Sequence, residues 1–185
     1  MNKDNLQELS ELAVSLGAFR ASVIPVSEVT TDVSFRELCR KNVCGNYGKN
    51  WMCPPDAGDI DELIERLRSF DYMLVYQSVG TLEDSYDFEG MMAAAAAHRT
   101  LMNAVRGAVD LRDDIPRLLY LGAGGCSVCD ECAKKKEEPC RHPERATASL
   151  ETYGVNVSRL AAAAGMNYIN GQNTVTYFAA VLFDI

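Results

Sequence analysis

A mixed α/β or α+β fold is predicted for this chain. It reads as a single domain over residues 1–185, with about four strands in one sheet, helices covering that sheet, and two cysteine-rich loops. Three observations predict it. Four segments rich in Val, Ile, Leu and Tyr have strand character, and segments of helical period lie between them. The seven cysteines all fall in or beside stretches rich in glycine and proline that show no period. With 185 residues the chain is long enough to bury one ordinary core.

The elements follow in order. Leu6, Leu9, Leu12, Ala13 and Leu16 recur at helical spacing, and Gly17 stands where that helix would stop. "FRASVIPVSEV" (19–29) alternates and reads as a strand, with Pro25 favouring an edge position or an early end. "SFRELCRKN" reads as a short helix capped by Ser34. "CGNYGKNWMCPPDAGD" is loop. A helix follows over 59–70, where Ile60, Leu63, Ile64 and Leu67 make one apolar face and early acids suit the helix dipole. "YMLVYQSVG" is the second strand. A long helix over about 87–109, rich in Ala and Met, is expected to be largely buried. "RLLYLGAGGC" is the third strand. "PERATASLETYG" and "NVSRLAAAAGM" read as two helices stopped by Gly154 and Gly165. "TVTYFAAVLFDI" is the fourth strand.

Composition narrows the function. The net charge of −8 opposes binding to a phosphate backbone, so nucleic acid is not expected as a partner. No apolar run is long enough to span a membrane, and "MNKDNLQELSEL" lacks the plan of a signal peptide, so the expected location is cytoplasmic. An odd cysteine count in a reducing compartment argues against a disulfide framework. Metal binding or thiol chemistry remains. There is no P-loop, dinucleotide fingerprint or GxSxG motif.

Cys126, Cys129, Cys132 and Cys140 follow the spacing C-x2-C-x2-C-x7-C. The CxxCxxC rhythm can wrap one compact centre, with the fourth thiolate arriving from a short loop. It is similar to the ferredoxin run that holds iron–sulfur cubanes, although the last gap is longer and the proline precedes Cys140. Gly124 and Gly125, with Gly122, would let backbone N–H groups approach an anionic centre. Zinc is the rival, since four thiolates also make a structural zinc site. A group of redox thiols is a third reading.

Cys39, Cys44 and Cys53 form a second group, C-x4-C-x8-C, followed by Pro54 and Pro55. Tyr47 and Trp51 are placed to shield a centre there, or to serve as ordinary core aromatics. Three cysteines are one short of a cubane set. One iron would then be open to water, substrate or another side chain, and His142, or less readily His98, is a candidate eighth ligand. Alternatively the two groups mix their ligands. Arg40, Lys41 and Lys49 lie between Cys39 and Cys53 with no acid among them, which suits a small anionic ligand or the charge of a cluster.

The segments "CRKNVCGNYGKNWMCPP", "LGAGGCSVCDECA" and "PCRHPERATASLETYGVNV" together resemble the DUF2284 family, predicted metal-binding proteins of bacteria and archaea common among anaerobes. The resemblance spans most of the chain, and all seven cysteines lie in its motifs. It implies a metal or iron–sulfur centre and no particular reaction. The first expectation is thus an iron–sulfur protein with one or two [4Fe–4S] clusters, serving electron transfer with a redox partner protein. The alternatives are an enzyme that binds a small anion at an open iron, and a structural Zn2+ module.

Overall fold

The structure, a computed structural model, describes residues 3–185. Its elements run α1 (Lys3–Ser15), β1 (Arg20–Pro25), α2 (Phe35–Arg40), α3 (Ile60–Arg68), β2 (Tyr72–Thr81), α4 (Phe88–Val109), β3 (Leu118–Gly122), β4 (Ala148–Ser149), α5 (Val157–Ala163) and β5 (Thr174–Phe183). The strands form one sheet in the order β1-β2-β5-β3-β4. Three pairings are antiparallel, and only β3 with β4 is parallel.

Side chains alternate across a strand, and both faces of this sheet are covered. On one face α3 and α5 press Leu63, Leu67, Leu160 and Ala161 onto Met73, Val75, Leu121, Ala180 and Leu182. On the other, α1 and α4 press Leu9, Ala13, Leu101 and Val105 onto Leu74, Tyr76, Ala179, Val181 and Phe183. The inner strands β2 and β5 therefore read as near-continuous apolar runs. Pro25 ends β1, which is an edge strand, as its missing N–H requires. Asp59 and Asp87 cap α3 and α4 by accepting from the N–H groups of Asp61 and Gly90, at 2.8 and 2.7 Å. No helix among the described residues is long and apolar enough to cross a membrane.

Three sequence expectations need correction. "PERATASLETYG" is not a helix. Its backbone pairs with β3, Leu121 opposite Ala148 and Gly122 opposite Ser149, and only a single 3-10 turn, Glu151–Tyr153, follows. Ala148, Ser149 and Leu150 are buried in succession, which suits an extended segment held between layers rather than a one-sided helix. This β4 is the fifth strand. Second, α4 is not largely buried. Only His98, Leu101, Val105 and Val109 are, one stripe at intervals of three and four, while Phe88 and Met92 are exposed. Its alanines reflect helix propensity more than burial. Third, Ser34 precedes α2 but its side chain makes no cap; Asp32 Oδ1 instead accepts from the Ser34 N–H at 2.8 Å.

Two predictions follow from this packing. A Cβ at Gly80 would stand 2.5 Å from the Cβ of Ala94, where α4 packs on β2. Gly80→Ala should therefore cost about 1–3 kcal/mol in denaturant unfolding, because neither backbone has a flexible group to move aside. His98 lies between Tyr76 and Tyr177, with Nδ1 2.8 Å from Ser78 Oγ. Burial holds its pKa down to about 4, against a smaller opposing pull from the backbone of Phe178. The unfolded chain takes up this proton first, so stability should fall as pH drops from 6.5 towards 4. The loss attributable to His98 is up to about 3 kcal/mol, and the slope over that window should shrink in His98→Gln.

Candidate metal centre

Strand β3 delivers the chain to the second cysteine group. Gly124 turns the backbone at φ +71°, a conformation that glycine adopts freely. Beyond it the N–H groups of Gly124, Gly125, Cys126 and Ser127 donate to no group among the described residues. The chain then passes Cys129 and Cys132 into a short 3-10 turn, Ala133–Lys136, and reaches Cys140. The first group starts on α2, whose last turn carries Cys39. Cys44 follows in an exposed loop and Cys53 is buried, ahead of a cis Pro54–Pro55 peptide.

These two loops dock on one another. Asn50, 4% exposed, donates through Nδ2 to the carbonyl of Cys126 at 2.9 Å, and its Oδ1 accepts from the Met52 N–H at 3.0 Å. Trp51 Nε1 donates to the carbonyl of Glu138 at 2.9 Å. Lys134 lies over the Trp51 ring and pairs with Asp56 at 2.9 Å. A Cβ on Gly125 would meet the side chain of Asn46 at 3.0 Å, so the glycine allows close approach of the loops.

Docking gathers the thiols. Cys126, Cys129, Cys132 and Cys140 line a single cleft, together with Trp51 and His142. Cys53 stands at the junction. Burial, then the neighbouring Cys44, Cys39, Cys126 and Cys132, push its thiol up to about 12. Cys39 is also raised, by burial first; Arg36 pulls the other way, and Cys44 and Glu151 add to the rise. All seven cysteines are free thiols. Ionising several such thiols side by side is costly without a compensating cation, the condition under which thiolates take a metal and release protons. Among the described residues, no three His, Cys, Asp or Glu side chains are grouped as a single metal ion requires.

The profile of a protein family described as predicted metal-binding proteins, DUF2284, matches residues 22–183. The chain belongs to the DUF2284 family. No curated protein and no solved structure matches it.

In this DUF2284 chain none of the predicted cations lines the thiol cleft. Arg40 pairs with Glu37, and Lys41 and Lys49 are exposed; none of the three lines a cleft. Gly124 and Gly125 line a second cleft, which shares Cys126 with the first. Trp51 borders the thiols, whereas Tyr47 does not. His98 is engaged with Ser78 and borders neither cleft. Sequence reasoning missed Asn50 and Arg36. Arg36 is buried one turn before Cys39, with Nη2 unpaired, and its i, i+3 spacing was the available signal. For Asn50 there was none, because its partner is 76 residues away.

Asn50→Ala removes the bond that joins the loops and leaves the Cys126 carbonyl without it. The expected loss is about 1–3 kcal/mol in chemical unfolding, with Asn50→Asp failing to restore it because a carboxylate cannot donate.

Proposed function

We propose that this chain is a cytoplasmic iron–sulfur protein that carries one or two [4Fe–4S] clusters and passes single electrons to a redox partner protein. One observation carries the reading: the four thiols of the C-x2-C-x2-C-x7-C run line one cleft. The residues present fit such a group. Four cysteines border one cleft, unpaired N–H groups stand at Cys126 and the glycines before it, and Trp51 lines the same cleft.

A cluster would supply one-electron chemistry. The chain's own part is to hold it through Cys126, Cys129, Cys132 and Cys140, and to keep the site compact by the Asn50 and Trp51 bonds. Cys39, Cys44 and Cys53 adjoin this site and are the ligand set for a second cluster. That set is one short, and His142, which borders the thiol cleft, is the candidate for the eighth ligand.

The test is anaerobic purification, with an absorption spectrum and assays of iron, sulfide and zinc per chain. A brown protein is expected, with a broad band near ~400 nm and iron equal to sulfide at about four or about eight per chain. Cys129→Ser and Cys140→Ser should each remove about four irons, because the two thiols border one space. Unchanged iron in Cys140→Ser would refute the four-thiol centre. A colourless protein with stoichiometric zinc would refute electron transfer.

A further inference from the structure

The second cleft lies between α4 and the loop that follows β3, and it has a volume of about 180 Å³. A single water needs only ~10–15 Å³ of such space, so the cleft has room for a small molecule. Three arginines line it, Arg99, Arg106 and Arg145, and no Asp or Glu does. In a chain with 26 acidic and 18 basic residues, a wall with three cations and no acid is unusual.

The arginines are not equivalent. Arg106 is already engaged: it donates to the carbonyls of Arg145 and Glu144, at 2.9 and 2.5 Å, lies over the Tyr120 ring, and stands 3.6 Å from Asp110. Its work is positional, because it ties the segment carrying Arg145 to α4. The guanidinium groups of Arg99 and Arg145 make no hydrogen bond or ion pair among the described residues. Unpaired N–H groups of Gly124, Gly125 and Ser127 lie on the same wall. Together these are donors without an acceptor, the complement of a carboxylate or phosphate. Met102, Tyr120 and Leu121 give the cleft an apolar side, which an inorganic ion would not use.

We propose that this cleft binds a small organic anion, its carboxylate or phosphate held by Arg99 and Arg145 and its apolar body resting on Met102 and Tyr120. Because Cys126 borders both clefts, the ligand would lie directly beside the thiol group. The proposal does not depend on which metal the thiols hold.

The experiment is calorimetric titration of the anaerobically isolated protein with benzoate, with phenyl phosphate and, as the uncharged reference, with benzamide. At least one anion should bind saturably and about ten-fold or more tighter than benzamide, the least that one charge-assisted contact provides. Arg99→Gln and Arg145→Gln should each weaken it by about ten-fold with little change in melting temperature, since neither side chain has a partner to lose. Lys49→Gln, outside the cleft, should leave it unchanged. The tighter of the two anions identifies the head group. Absence of saturable binding by either anion, or binding that survives both arginine substitutions, would overturn the proposal. Failure of the iron assay would leave these outcomes intact, so the two readings fail separately.

Discussion

The hydrogen bond from Asn50 to the carbonyl of Cys126 is the contact on which the candidate site depends. It joins loops 76 positions apart in sequence, and it does so from the buried side chain of Asn50, where an unpaired amide would be costly. Trp51 and Lys134 reinforce the same junction from the other side. Without this docking the chain would carry two separate cysteine loops. With it, Cys53 becomes the neighbour of thiols from both groups.

The sheet makes this possible by where it ends. Its centre, β2 and β5, is covered on both faces. Its far edge is different, because β4 is only two residues long and β3 five. The chain leaves β3 early, and the loop after Gly122 emerges beside α4 and beside the first cysteine loop. The Leu150 N–H donates to the Gly122 carbonyl at 3.0 Å, and Gly154 O accepts from the Asp32 N–H at 2.7 Å. These bonds tie the segments on either side of the site to the end of the sheet. Gly154 has φ +70° and would press a Cβ against Ile64, so the tie needs glycine there.

Charge is arranged locally against the overall balance. Although the chain is acidic, no Asp or Glu lines either cleft, while Arg99 and Arg145 line the one beside the loop that carries Cys126, and Arg36 stands beside Cys39. Thiolates, a cluster and an organic anion are all negative, and each gains from such an environment. The two clefts sharing Cys126 place the thiol group and the cationic wall within one small region.

Much of the fold was legible in the sequence. Strands, long helices, the edge position of Pro25 and the ferredoxin-like cysteine rhythm are local patterns, set by side-chain period and backbone chemistry within a few residues. "PERATASLETYG" was misread because its partner, β3, lies about thirty residues away, and pairing overrode local helix propensity. The same limit applied to the cations. The basic stretch between Cys39 and Cys53 drew attention because its charges are adjacent in sequence, whereas Arg99 and Arg145 are 46 positions apart and look like isolated surface residues. The sequence by itself determined most of the elements, the two thiol groups and the family. Tertiary structure alone decided that the groups meet, that Asn50 joins them and that arginines from a helix and a distant loop face one cleft, because those facts depend on long-range packing that no local period encodes.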